Sequence, residues 1–155
     1  MSRSEIARKN LEKRLEKLRP IRQWAVPPKG WVRAIRDALG MTAGQMAERL
    51  GTSQPRIFAL EADEVRNAVT LETLNRAAHA LNCTLVYALV PNEPLSDMVR
   101  KQAAKVAAKQ VASVDHTMRL ENQGLSQDDL KAERERVAAE LLRGAPARLW
   151  DDTAA

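Results

Sequence analysis

Gln54 and Arg56 are the side chains whose types and spacing could do recognition chemistry. A glutamine amide sets a donor beside an acceptor and fits the edge of adenine, while the arginine fork sets two donors side by side and fits guanine. Both fall in the first turn of a short predicted helix, the part such a helix offers to the DNA major groove. Ser53, Pro55, Phe58 and Ala59 line the same expected surface, and Thr42 stands at the start of the helix before it. Other chemistry is sparse. The two histidines, His79 and His116, lie far apart, the single cysteine has no partner, and no glycine-rich phosphate loop or metal-ligand spacing is present. With no nucleophile and base in view, neither catalysis, a metal nor a cofactor is expected. His79 is expected to be structural and His116 exposed.

The elements that must position Gln54 and Arg56 are two short helices joined by a glycine turn. Thr42 followed three residues later by Gln45 makes a capping box that starts the first helix. Met46, Ala47 and Leu50 fall on one apolar stripe, and Gly51 closes the helix. Thr52 or Ser53 caps the second, with Pro55 in its first turn, where a missing N–H costs nothing. Ile57 and Leu60 turn inward. Upstream, Trp31–Leu39 is expected to be a helix burying Val32, Ile35 and Leu39. Downstream, a loop over Ala62–Val69 leads to a helix capped by Thr70 and running to Leu81, with Leu71, Leu74, Ala78 and Leu81 inward. Thr84–Val90 changes period and reads as a short β-strand ended by Pro91. A solitary strand needs a mate, either the Trp24 region or the same strand of a second copy; the homodimer is favoured.

Outside this core the chain is helical. Ser2 and Glu5 form a second capping box opening a helix with Leu11, Leu15 and Leu18 at helical spacing, ended by Pro20. That helix is expected either to pack as a solvated element or to touch DNA. Pro20–Gly30 holds three prolines and reads as a connector. From Leu95 to about Asn122 an alanine-rich helix sets Val99, Val106, Val111, Val114 and Met118 on one side, with Lys101, Lys105 and Lys109 on another. A last helix starts at Ser126 and runs to about Arg143. The expected division is 1–28, basic helix and connector; 29–82, DNA-binding domain; 83–94, strand and linker; and 95–155, C-terminal helical region.

Composition agrees with a mainly α protein. Five of the 155 residues are aromatic, and alanine, leucine, arginine and glutamate dominate. The lone Cys83 excludes a disulfide framework and is expected to be a buried small hydrophobe. No run has the length of a membrane span, and the N-terminus is charged where a secretory signal would be apolar, so a cytoplasmic, non-membrane protein is expected. Charge is uneven. Residues 1–36 hold 11 Lys or Arg against 3 Glu, 37–114 hold 8 against 8, and 115–155 hold 6 against 9. Basic flanks favour phosphate contacts, whereas a neutral helix pair favours base edges.

The Thr42–Glu61 stretch resembles the helix-turn-helix of the Cro and lambda-repressor (Xre) family. The matching positions are Thr42, Ala47, Gly51, Ile57, Leu60 and Glu61, and the likeness extends over roughly Trp31 to Val90. It implies a five-helix-type fold with one short strand, an N-terminal helix and a C-terminal helical extension. It also implies a pseudo-palindromic operator in double-stranded DNA and phosphate contacts from Arg66 and Asn67. Ala43 departs from the glutamine common in that family. The layout as a whole resembles the mobile mystery protein A family, encoded beside Fic-domain proteins, and Thr117-Met-Arg-Leu-Glu-Asn122 matches the Fic inhibition pattern. By that resemblance Glu121 would pair with an arginine of a Fic enzyme's nucleotide site, with Thr117 and Asn122 fixing the helix end. The chain would then be a bacterial autorepressor, nucleoid-associated when on DNA, and an antitoxin. The alternative is a regulator alone, its C-terminal helices serving dimerisation.

Overall fold

The computed structural model describes residues 2–121 and 123–151 and is mainly helical. Among the described residues the α-helices are α1 (Arg3–Glu16), α2 (Trp31–Ala38), α3 (Ala43–Leu50), α4 (Gln54–Val65), α5 (Leu71–Ala80), α6 (Leu95–Leu120) and α7 (Gln127–Arg143), with 3-10 turns at Arg19–Gln23 and Pro146–Trp150. They form two compact units, one of residues 20–89 and one of residues 1–19 with 90–155.

In the 20–89 unit, Val32, Ala43, Met46, Ala47, Ile57, Ala77 and Leu81 make one buried cluster. Ile35, Met41, Leu50, Leu60, Leu74 and Cys83 pack around it. Met46 and Ile57 are fully buried, and burying side chains of this size stabilises by about 1.5–3 kcal/mol each. The Thr42 hydroxyl accepts from the Gln45 N–H at 3.1 Å while the Gln45 amide oxygen accepts from the Thr42 N–H at 2.9 Å, as the capping box requires. Gly51 ends α3 in the left-handed region at φ 64°.

Several expectations for this unit need correction. Leu39 and Leu71 are exposed, and both stand at helix ends, Leu39 as the C-cap of α2 and Leu71 as the first residue of α5. Residues 62–65 are helical, so the loop is shorter than its composition suggested, beginning at Arg66 and turning at the left-handed Asn67. His79 is exposed and so has no core role. The strand is missing: residues 84–90 form neither helix nor strand, and the Trp24–Val26 segment does not pair with them. A β-strand exists only where its backbone finds a mate, and none is supplied within the unit.

In the other unit α6 and α7 pack as an antiparallel hairpin, closed by the 3-10 turn that buries Leu149. Ala103, Val106, Ala107, Val111 and Leu130 are buried. Val114, expected inward, is exposed, and Asp115 is buried instead. Its carboxylate accepts from the Leu125 N–H at 3.2 Å and from Arg119 Nε at 2.8 Å, which holds the hairpin turn. The basic α1 belongs to this unit. It contacts α6, where the Glu12 carboxylate accepts from the Ser96 hydroxyl at 3.0 Å, and it buries Leu15. Leu11 stays exposed because the packed stripe of α1 is mostly polar.

Candidate nucleic-acid interface

The helix that carries Gln54 and Arg56 is held from its far end. Glu61, buried on α4, accepts from Arg36 Nε at 2.6 Å and Nη2 at 3.3 Å, and Arg36 Nη1 also donates to the Met41 carbonyl at 2.9 Å. The Glu61 hydrogen bond raises the Arg36 pKa above its ordinary value, so the guanidinium stays charged despite its burial. One turn later the Glu64 carboxylate accepts from the Trp31 N–H at 2.8 Å and the Val32 N–H at 3.0 Å. It thereby caps α2, whose own N-cap, Gly30, has no side chain to do so. Gly30 sits at φ 81°, and a Cβ there would meet the Glu64 carboxylate oxygen at 2.7 Å. The last carbonyls of α3 and α5 are served across the packing: Arg49 Nη1 donates to the Ala80 carbonyl at 3.0 Å, and Arg76 Nη2 lies 3.5 Å from the Leu50 carbonyl.

With its C-terminal half anchored, α4 leaves the other half to solvent. Ser53, Gln54, Pro55, Arg56, Phe58 and Ala59 are all exposed while Ile57 between them is fully buried. Ser53 is the N-cap but makes no side-chain capping bond, and Thr42 is exposed with its oxygen engaged in its own cap. A Cβ built on Gly44 would lie 4.0 Å from the Gln54 amide oxygen, so that side chain stands beside the first turn of α3.

The remaining residues divide between two flanks. Arg56 and Ala59 line an open concavity of about 440 Å³ whose other wall carries Thr70, Thr73 and Arg76 of the α5 side. Phe58 instead lines a smaller cleft with Lys29 and Arg33. Arg56 and Phe58 thus line different concavities on α4. Arg66 and Asn67 are exposed just beyond α4, with Arg66 paired to Asp63. Such a surface pair contributes at most about 1 kcal/mol and gives way readily to a phosphate.

The other candidate set lies in the second unit. Thr117 and Glu121 are exposed at the end of α6, Thr117 donating to the Ser113 carbonyl at 3.2 Å and Glu121 forming the C-cap. Asn122 lies outside the described residues. Sequence reasoning missed Arg36, Glu64, Thr73 and Arg76. The signal for Arg36 was available: an arginine amid the apolar stripe of α2, facing a glutamate amid that of α4.

Residues 32–87 match the Helix-turn-helix family model. The match covers about a third of the chain and supports a Cro- and lambda-repressor-like helix-turn-helix in this segment. Neither a curated protein nor a solved structure matches the chain. The helix-turn-helix domain supports a DNA-binding transcriptional regulator, with α3 as its first motif helix and α4 as its second. No helix among the described residues is long and apolar enough to cross a membrane.

Proposed function

We propose that this chain is a sequence-specific transcriptional regulator that represses its own promoter as a homodimer on a pseudo-palindromic operator. The observation that carries the reading is the division of α4. Gln54 and Arg56 stand in solvent at its N-terminal end, while Ile57 and Glu61 fasten it from beneath. In this role Gln54 reads adenine and Arg56 guanine, with Thr42, Ser53, Pro55 and Ala59 close against the strand. Phe58, on the other flank, meets a different part of the groove, and Arg66 and Asn67 contact phosphate. A good bidentate pair contributes about 1–3 kcal/mol of discrimination. A footprint on the promoter region should therefore lose sequence preference with Arg56→Ala, and an unchanged footprint would remove Arg56 from the reading.

A second role is supported by the exposure of Thr117 and Glu121 at the end of α6 together with the family resemblance of that hexapeptide. Among the described residues no hydrogen bond or ion pair holds the Glu121 side chain, so it is available to an arginine of a Fic-domain partner. The chain would then also be an antitoxin, acting by binding and not by catalysis. Glu121→Gly should release AMP transfer by that partner while leaving DNA binding intact. Equal AMP transfer with and without the substitution would leave a regulator alone.

A further inference from the structure

In the unit of residues 1–19 and 90–155, the first turns of α1 and α6 and the end of α7 border two adjoining concavities of about 210 and 340 Å³. The two share Arg8, Val99 and Leu142, and Trp150 stands at the rim of the smaller. Leu149 is buried there, whereas Leu142 is 40% exposed and Trp150 53%. These walls are held in place. The Gln102 amide donates to the Leu149 carbonyl at 2.7 Å, which fixes the Pro146–Trp150 turn on α6, and the Glu12–Ser96 bond ties α1 to the same helix. Arg8 is the charge they leave unused. Among the described residues no hydrogen bond or ion pair holds its guanidinium. Glu5, the acid lining the larger concavity, is drawn first to the Ser2 N–H at 2.6 Å and only weakly to Arg8. Arg100, on the same wall, is paired with Asp97.

We propose that this cleft binds a small aryl carboxylate, Arg8 taking the carboxylate while Val99, Leu142 and Trp150 take the apolar ring. The inference stands apart from the DNA-binding reading and uses no residue of α4. Size selects a small molecule. Ligand sites run to about 300–1,000 Å³ and are mostly apolar with a few placed polar groups, as here, whereas a helix or a folded partner needs a longer groove. Charge selects a monoanion. A single unused guanidinium matches one carboxylate through its fork, while a nucleic-acid backbone repeats its charge and has no part to set against Leu142 and Trp150. Trp150, the one tryptophan of this unit, offers a flat face to a planar body at little cost in rotamer freedom. A molecule seated there would bridge α1 to the end of α7, so its binding free energy would add to the stability of this unit.

The test is a titration of the 15N-labelled full chain with 1-naphthoate at millimolar concentrations, followed by the indole N–H signals of its three tryptophans. The Trp150 signal, assigned from W150F, should move and saturate. Trp24 and Trp31 belong to the 20–89 unit and should stay where they are. Arg8→Gln should weaken 1-naphthoate by about tenfold or more and leave the neutral 1-naphthamide unchanged, because a hydrogen bond to an ionised partner is about twice as strong as a neutral one. Far-UV circular dichroism should be unaltered in that variant, since Arg8 holds nothing in the fold. Leu142→Glu, at a position already partly open to solvent, sets a carboxylate in the cleft and should reject 1-naphthoate by itself. Absence of a saturable Trp150 shift would overturn the proposal, and so would equal shifts at all three tryptophans. An Arg8→Gln chain that holds 1-naphthoate as tightly as the native one would do the same.

Discussion

Removal of Glu61 tests how α4 is held. In Glu61→Ala, Arg36 remains buried at 7% exposure and loses the bonds at 2.6 and 3.3 Å. Stripping one partner from a buried pair costs about 3–5 kcal/mol, since the other charge stays desolvated. Arg36 keeps the Met41 carbonyl at 2.9 Å and Asp37 at 2.9 Å, which places the loss near the lower end, at about 3 kcal/mol. The matching shift in thermal midpoint is about 6–12 °C, at roughly 2–4 °C per kcal/mol for a chain of this size. Replacing both partners with apolar groups, Arg36→Met with Glu61→Leu, removes the stranded charge. That pair of changes should recover most of the loss, less about 1 kcal/mol for the Met41 carbonyl left without its donor. Urea unfolding followed by the methyl signals of Met46 and Ile57, both in this unit's core, reads the cost where it arises. If Glu61→Ala cost under about 1 kcal/mol, or if the double change cost as much as the single, the buried pair would not be the clamp described.

The caps give three further outcomes. Glu64→Ala should cost about 1 kcal/mol by freeing the Trp31 and Val32 N–H groups, with faster hydrogen exchange at those two amides as its signature. Gly51→Ala should cost about 1–2 kcal/mol, because the turn between α3 and α4 needs a left-handed residue at φ 64°; denaturant titration measures it. Glu5 has its pKa lowered, first by the backbone hydrogen bond at Ser2, where the Ser2 N–H donates to its carboxylate. Since the folded value lies below the ordinary 4.5, the cap's stabilising share is complete above 4.5 and disappears as pH falls through the lowered value. Carboxyl NMR titration of Glu5 should show the depression, and Ser2→Pro, which removes that N–H, should abolish most of it.

Much of the helix-turn-helix was legible because its determinants are local. Thr42 with Gln45, Gly51, and Pro55 after Ser53 each act within one turn of chain, so sequence alone places the helix ends. What sequence could not place depends on partners distant in the chain. Glu64 looks like an ordinary solvent-facing residue of a helix end until the start of α2, more than 30 residues away in the chain, is packed against it. For the same reason the loop was expected from Ala62, although contacts with α2 carry the helix on to Val65. The Thr84–Val90 segment shows the converse. Its residues favour a strand, but pairing decides whether one exists, and within this unit nothing pairs with it. Among the proposed site residues, those of the first turn of α4 sit where their spacing put them. Phe58 illustrates the limit, since the cleft it lines with Lys29 and Arg33 is formed by residues distant in the chain.

The two halves of α4 answer to different requirements. Its second half binds α2 with carboxylates, whose hydrogen bonds are directional where apolar contact is not. A core with only Met46 and Ile57 as large, fully buried side chains in this unit has little apolar area with which to fix a helix. The charged fasteners therefore set the angle at which the first half stands in solvent. Basic charge follows the same separation, since seven of the eleven Lys and Arg of residues 1–36 lie in residues 1–19, within the unit that holds α6 and α7. Substitutions at 61 and 64 should then appear as lost stability, and those at 54 and 56 as altered sequence preference with stability intact. A protein in which the two kinds of effect were interchanged would not be using α4 as a reading helix.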